Sequence, residues 1–152
     1  MAKTDFRFSD KNDSTGFLLW QVTNHWQREI KKALERYDLT HAQFVLLASI
    51  LWLSQTKDSI TQIEISSHAN MDAMTTSTVL RTLQAKGLIS RQEHPTDTRA
   101  KTIQLTPEGK NIVKKSVKTV EQFDAAFFAP LGASADAFNQ KLLSLLNAET
   151  QE

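Results

Sequence analysis

A row of hydroxyl side chains with one arginine is concentrated in the middle of the chain. Thr75, Thr78 and Arg81 share one face of a helix by their spacing, and Ser77 lies at its edge. Threonine is a poor helix former, so a helix face built from it is unusual for mere solvation. Hydroxyl and guanidinium groups can hydrogen-bond to base edges in the major groove of a DNA duplex. We predict that these four residues contact DNA, together with the adjacent Thr76.

A short charged segment further along the chain predicts an exposed turn. Pro95 and Asp97 are turn-forming residues, and Arg99 and Lys101 follow them. A narrow minor groove concentrates negative potential and attracts arginine, and an aspartate two residues away can hold the guanidinium fork of Arg99. We therefore predict DNA contacts from Asp97, Arg99 and Lys101. The alternative is a solvent-exposed ion pair in a turn, worth under ~1 kcal/mol.

Positive charge is concentrated between Arg81 and Lys118. This stretch holds nine Lys and Arg residues against three Asp and Glu residues, although the whole chain carries a net charge of only +1. Such a region is the electrostatic footprint of a phosphate-binding surface, although its last lysines also suit solvated helix faces. Arg91 is a predicted contact to the DNA backbone. Thr61 and Gln62 are two more, because a helix N-terminus presents free backbone N–H groups to phosphate.

Capping residues divide the chain into helices that must position these groups. The predicted helix starts are Ser14, Thr40, Thr61, Asp72, Thr106 and Ser134. Thr40 and Thr61 each begin a capping box, with Gln or Glu three residues later. The first helix is predicted to run to about Tyr37, and the fourth to stop at Gly87, a residue typical of helix C-termini.

Two strands are predicted between the fourth and fifth helices, at residues 88–91 and 101–106, where Ile103 and Leu105 alternate with polar residues. The fold class is therefore mainly α with a small β-wing: a winged helix-turn-helix DNA-binding lobe plus a helical dimerisation region. The first, fifth and sixth helices carry apolar stripes wider than a small core can cover. Such stripes are usually buried by a partner chain, so we expect a homodimer.

Several classes of protein are excluded by what the sequence lacks. The absence of cysteine excludes disulfides, thiolate chemistry and Cys-ligated zinc. Because there is no Gly-rich phosphate loop, serine elbow or paired His/Glu motif, we expect no enzyme activity and no cofactor. The histidines lie on different predicted elements, so we predict no metal site. The longest apolar run, at residues 44–53, is too short to span a bilayer, and the N-terminal segment is too polar for a signal peptide. We expect a cytoplasmic protein with no membrane partner.

Three segments of the chain together resemble a known family. The string LQAKGLISR at residues 83–91 is similar to the end of a recognition helix entering the first strand of a wing. The segments DTR at 97–99 and IQLTPEG at 103–109 are similar to the rest of such a wing. In this combination they resemble the MarR family of winged-helix transcriptional regulators. By that resemblance, residues 72–86 form the recognition helix and residues 95–101 the wing.

The resemblance implies a single MarR-like domain over residues 1–152. Residues of about 40–106 would form the winged-helix DNA-binding lobe, and about 14–37 and 107–149 the helical dimerisation region. Members of this family are typically repressors whose dimer changes shape when a small, often aromatic, ligand binds. We therefore expect double-stranded DNA, a second copy of the chain and a small-molecule effector as partners. Two-fold symmetry predicts a pseudo-palindromic operator.

Aromatic residues near the junction of the lobe and the dimerisation helices could form the walls of an effector pocket. The predicted pocket residues are Phe17, Trp20, His25, Trp26, Phe44 and Trp52. The alternative is that these side chains pack in the core. The alternative function for the whole chain is a winged helix that serves only protein–protein contacts, which an acidic or apolar recognition face would favour. The predicted face carries Thr, Ser and Arg beside a basic wing, which favours DNA.

Overall fold

Helices dominate the structure, a computed structural model that describes residues 5–93, 96–97 and 101–148. Within these ranges the elements in chain order are α1 Thr15–Leu34, α2 His41–Leu53, β1 Ile60–Thr61, α3 Gln62–Ala69, α4 Ala73–Ala85, β2 Ile89–Glu93, β3 Lys101–Leu105, α5 Pro107–Phe127 and α6 Ala135–Asn147. The predicted fold class, mainly α with a small β-sheet, is confirmed. None of the described helices is both long and apolar enough to cross a lipid bilayer.

Most helices begin at the predicted capping residues. Ser14, Asp72 and Thr106 each accept a hydrogen bond from the backbone N–H three residues further on. Thr40 and Gln43 form a complete capping box, in which each side chain accepts from the other residue's backbone N–H at 3.1 Å. These caps were predictable because donor and acceptor lie three residues apart in the sequence.

Two predicted helix starts differ in detail from the structure. Thr61 accepts from the backbone N–H of Glu64, but the capping box is only half formed. The Glu64 carboxylate instead lies 2.9 Å from the Lys57 ammonium, because an ion pair competes with the return bond to the helix start. Ser134 precedes α6 but makes no side-chain capping bond.

The chain turns sharply between α1 and α2. α1 ends at Leu34 rather than at Tyr37, and one turn of 3₁₀ helix, Glu35–Tyr37, follows it. Asp38 then adopts a left-handed conformation with φ 53°, which stops any helical continuation. The Tyr37 hydroxyl lies 2.5 Å from the hydroxyl of Thr119, so this turn is tied to α5.

α3 and α4 form a helix-turn-helix whose ends are closed by two left-handed residues. Asn70 (φ 49°) ends α3, and Gly87 (φ 76°) follows α4. After α4 the backbone N–H of Gly87 donates to the carbonyl of Gln84, and that of Leu88 donates to the carbonyl of Leu83, both at 3.0 Å. This paired arrangement is a Schellman motif, and glycine is favoured there because a Cβ would be strained at positive φ. It sets the direction in which the chain leaves α4 for β2.

The sheet is antiparallel, with β3 between β1 and β2. Ile103 at its centre lies opposite Ile60 on one side and Arg91 on the other. β1 was not predicted. It has only two residues and pairs with a strand far away in the sequence, so no local hydrophobic pattern indicates it.

The core is built from α1 to α5 and the sheet. Its fully buried side chains include Ile30, Leu34, Leu46, Leu47, Ile50, Ile65, Leu80, Leu83, Ile103 and Val113. α6 contributes no buried residue. Leu145 on α6 is 69% exposed, and Leu19 and Trp20 on α1 are also exposed. The apolar stripes of α1 and α6 are therefore left partly uncovered by a single copy of the chain.

Candidate nucleic-acid interface

The solvent-facing side of α4 carries most of the predicted row of polar side chains. Thr75, Thr78 and Arg81 are exposed, and Ser77 is half-buried at the edge. The Thr78 hydroxyl donates to the carbonyl of Met74 at 3.1 Å, and an Arg81 guanidinium nitrogen lies 3.5 Å from the same hydroxyl oxygen. Each hydroxyl oxygen keeps a lone pair that can accept a hydrogen bond, and Arg81 lies on the same exposed face. This surface offers both acceptors and donors to a partner.

Thr76 does not belong to this surface, and its assignment to DNA binding was wrong. Its side chain is fully buried, and its hydroxyl donates to the backbone carbonyl of Asp72 at 2.8 Å. The helical spacing explains the burial, since Thr76 shares the inward face with Leu80 and Leu83. The hydroxyl is satisfied by the preceding turn, which allows threonine to lie in an apolar environment.

The start of α4 is fixed by its capping aspartate. One carboxylate oxygen of Asp72 accepts from the backbone N–H of Thr75 at 2.8 Å, and the other accepts from the Thr75 hydroxyl at 2.7 Å. These hydrogen bonds lower the pKa of Asp72, because each favours the ionised carboxylate. Thr75 is therefore held in one orientation at the N-terminal end of the exposed face.

The predicted phosphate contacts lie together beside the sheet, but two of them bind each other. An Arg91 guanidinium nitrogen on β2 donates to the side-chain carbonyl of Gln62 at the start of α3. Thr61 is half-buried and uses its hydroxyl to cap α3. A phosphate at this helix start would therefore meet backbone N–H groups and the edge of an Arg–Gln pair, rather than three freely extended side chains.

The wing is described in part. Lys101 at the start of β3 and Asp97 are both exposed. Arg99 and Pro95 lie outside the described residues. β2 and β3 pair from Ile89 with Leu105 to Glu93 with Lys101.

Met74 is a surface residue of α4 that the sequence reasoning missed. Its side chain is 81% exposed. It lies four residues before Thr78 and seven before Arg81, which places all three on one face of the helix. The same periodicity that selected Thr78 and Arg81 could have selected Met74.

A cleft of about 980 Å³ lies between α1, the start of α2 and the turn from α3 to α4. Its walls include Lys31, His41, Gln43, Asp72 and Lys86. The Lys86 ammonium at the end of α4 donates to the side-chain oxygen of Gln43 at 3.1 Å, so the cleft is closed on one side by a link between α4 and α2. The charged groups of its lining are of both signs, since Lys31 and Lys86 lie there with Glu35, Asp38 and Asp72.

The predicted aromatic pocket residues do not line one cavity. Trp20 and His25 line a separate cavity of about 700 Å³ on α1. Trp26 donates from its indole nitrogen to a carboxylate oxygen of Asp124 at 2.9 Å, and its ring meets the edge of His41 at a centroid distance of 5.0 Å. Trp26 therefore packs against His41, which lines the 980 Å³ cleft.

The other three predicted pocket residues lie elsewhere. Phe44 is 8% exposed and packs in the core, as the alternative interpretation held. Phe17 is partly exposed near the start of α1, and Trp52 is 63% exposed near the end of α2. Trp52 is eleven residues from His41 on the same helix, about 16 Å along its axis. A small ligand beside His41 would not reach Trp52, so the grouping of Trp52 with Trp26 was wrong.

His41 is the functional candidate in the cleft that sequence reasoning used only as part of a capping box. Burial lowers its pKa, and the negative charge of Asp124 opposes that shift without cancelling it. The imidazole is therefore held neutral more strongly than an exposed histidine. Only the tertiary contact with Trp26 distinguishes it, so the sequence pattern carries no signal for its role.

Comparison with known proteins identifies the family. A family profile described as an ArnR1-like, winged-helix domain matches residues 35–122, which include the helix-turn-helix and the sheet. An uncharacterized HTH-type transcriptional regulator of Bacillus subtilis, YdcH, is 44% identical over 123 residues, covering 81% of this chain and 84% of the relative. The chain belongs to the MarR family.

Solved structures of MarR-family regulators have the same fold. Bordetella bronchiseptica BpsR matches with a TM-score of 0.83 at 24% identity, covering 96% of this chain and 100% of BpsR. A mutant of E. coli MarR complexed with operator DNA matches with a TM-score of 0.76 at 26% identity, covering 88% and 93% of the two chains. The present protein is therefore a MarR-family winged-helix regulator.

Proposed function

We propose that this MarR-family regulator is a homodimeric repressor that binds a pseudo-palindromic double-stranded operator and is released by a small aromatic ligand. The observation that carries the proposal is the exposed face of α4. Thr75, Thr78 and Arg81 are exposed on it, and the helix start is fixed by Asp72. A helix of this kind enters the major groove with its N-terminal residues toward the base edges.

Arg81 is proposed as the main polar contact of α4. A bidentate arginine reads the O6 and N7 atoms of guanine, and the same fork also fits a phosphate. Thr78 lies beside it, with its hydroxyl oxygen 3.5 Å from an Arg81 guanidinium nitrogen, and both Ser77 and Thr78 are proposed to contact neighbouring bases. On the wing, Arg99 is proposed to enter the minor groove with Asp97 holding its fork, and Lys101 to contact the backbone. Phosphate contacts from Arg91 and from the start of α3 would fix the register.

Residues of about 14–37 and 107–149 are proposed as the dimerisation region. Support comes from the apolar stripes of α1 and α6, which a single copy leaves partly exposed. Burying such stripes against a second copy removes apolar surface from water, and two-fold pairing presents two copies of α4 to successive turns of DNA.

The effector is proposed to bind in the cleft lined by Lys31, His41 and Lys86. The Lys31 and Lys86 ammonium groups can donate hydrogen bonds to a polar group of an aromatic molecule, and the cleft reaches Asp72 at the start of α4. A ligand there would contact both α1 and the DNA-reading helix, so its binding energy could favour one orientation of that helix over another. In BpsR, 6-hydroxynicotinic acid regulates DNA binding.

Substitution of Arg81 tests the proposed DNA-reading role. Arg81→Ala should weaken specific binding by about 1–3 kcal/mol and relax the preference at one base pair of each half-site if the guanidinium reads a base. Lys32→Ala, which removes an exposed cation on α1, is the matched control and should leave the affinity unchanged. Titration of labelled duplexes at constant salt measures both variants.

A uniform loss on every duplex would make Arg81 a phosphate contact. If Arg81→Ala and Lys32→Ala both bind as the unmodified protein does, Arg81 does not contact this DNA. Absence of DNA binding by the unmodified protein would favour the alternative, a winged helix used for protein contacts.

A further inference from the structure

Met74 is the most exposed large apolar side chain on the proposed DNA-reading face. It is 81% exposed at the second position of α4, between the capping residue Asp72 and the polar residues Thr78 and Arg81. At about 100° per residue, Thr78 and Arg81 are each within about 40° of Met74 around the helix axis. The flexible thioether of Met74 therefore lies in the middle of this face around the helix axis, and at its N-terminal end along the axis.

The chemistry of the major groove restricts what such a side chain can contact. Base edges there present hydrogen-bond donors and acceptors, which an apolar side chain leaves unpaired and desolvated. The C5-methyl group of thymine is the apolar exception among the four bases. N-terminal residues of a recognition helix are those that approach the base edges. An exposed methionine at this position therefore matches a thymine methyl better than any other base edge.

We propose that Met74 is a specificity-determining residue that selects thymine in each operator half-site by contact with its methyl group. The inference rests on the proposed function, because it requires α4 to lie in the major groove. Met74 and Arg81 are seven residues apart, about 10 Å along the helix axis. With base pairs about 3.4 Å apart, the selected thymine should lie within about three base pairs of the position read by Arg81.

Replacement of thymine by uracil tests the contact, because uracil lacks only the methyl group. In the best operator found by selection, each thymine of one half-site is replaced in turn. For the unmodified protein, one uracil should weaken binding about fourfold, because burying a single methyl group is worth about 0.8 kcal/mol. Replacing the equivalent thymine in both half-sites should weaken binding about sixteenfold, since two independent sites multiply.

Variants of Met74 complete the comparison. Met74→Ala should bind the all-thymine operator more weakly than the unmodified protein does. It should bind the all-thymine and uracil operators equally well, because its side chain is too short to reach the thymine methyl group. Met74→Leu should retain part of the uracil penalty. Ile63→Ala is the matched control: Ile63 is 78% exposed at the second position of α3, and its loss should leave the uracil penalty intact. Circular dichroism establishes that each variant is folded.

Two results would overturn the inference while leaving the proposed function in place. One is an unmodified protein that selects an operator but is insensitive to uracil at every thymine. The other is a Met74→Ala variant that keeps the full uracil penalty. If selection yields no preferred sequence at all, the proposed function fails first, and the inference fails with it.

Discussion

The packing of α5 against the end of α4 leads to a sharp prediction about Gly109. This residue lies in the first turn of α5, directly over the backbone of Leu88. A Cβ added at Gly109 would lie 2.8 Å from the carbonyl carbon of Leu88 and closer still to its oxygen. Because the obstacle is backbone rather than the end of a flexible side chain, α5 or the turn after α4 must move.

The cost can be worked out from the contacts at this point. Non-bonded atoms rest about 3.5 Å apart, so a shift on the order of 1 Å is required. Overpacking of this kind costs about 1–3 kcal/mol. The shift also strains two hydrogen bonds worth about 1 kcal/mol each: Gly109 N–H to the Thr106 hydroxyl at 3.0 Å, and Thr106 N–H to the Leu88 carbonyl at 3.1 Å. Alanine has a higher helix propensity than glycine, and this offsets up to about 1 kcal/mol of the cost. We therefore expect Gly109→Ala to lower the free energy of unfolding by about 2–4 kcal/mol.

Gly16→Ala provides the matched control. Gly16 lies in the first turn of α1, and a Cβ there would meet nothing within 4 Å. Its replacement should leave the stability unchanged or raise it by up to about 1 kcal/mol. Urea unfolding followed by tryptophan fluorescence, at one protein concentration, compares the two variants. Equal stability of Gly109→Ala and Gly16→Ala would refute the close contact between α5 and the Leu88 backbone.

Two further predictions concern pH and assembly. Burial lowers the pKa of His41, so the folded protein favours the neutral imidazole. The contribution of this histidine to the free energy of unfolding is complete above the usual histidine pKa of about 6.5, and it is lost as pH falls below that value. Unfolding free energy should therefore fall more steeply between pH 7 and pH 5 for the unmodified protein than for His41→Gln, and identical slopes would contradict this origin. Replacing both Leu142 and Leu145 with glutamate should give monomers by light scattering, because the exposed stripe of α6 would carry charge into the proposed interface. Gln140→Glu on the same helix should stay dimeric, and a dimer in both cases would place the interface elsewhere.

Local signals account for the parts of the fold that the sequence predicted well. The caps at Ser14, Thr40, Asp72 and Thr106 depend on residues three apart, and the stop at Gly87 depends on one backbone conformation. Such features need no knowledge of the rest of the chain. The helix-turn-helix and the two wing strands followed from them.

Features that depend on distant contacts were not predictable. β1 exists because Ile60 pairs with Ile103, and Glu64 leaves its capping box because Lys57 is nearby. Thr76 was named among the DNA-contacting residues, although helical spacing places it on the inward face with Leu80 and Leu83.

The candidate site was predicted unevenly for the same reason. The exposed row of Thr75, Thr78 and Arg81 follows from periodicity alone, and the structure leaves it open to solvent. Grouping the aromatic residues required knowing which helices meet, and the sequence does not contain that information locally. The Trp26 ring on α1 contacts the His41 ring on α2. Trp52 lies about three helical turns beyond His41 along α2.

Selection of bound duplexes from a random DNA pool, with purified protein at moderate salt, shows whether the protein is a sequence-specific dimeric regulator. A homodimer on a pseudo-palindromic operator should enrich a two-fold-symmetric site whose half-sites are about one helical turn, 10–10.5 base pairs, apart. Binding without any enriched sequence would contradict it, because electrostatic attachment alone explains binding that ignores sequence. An enriched site without two-fold symmetry would contradict the proposed dimer.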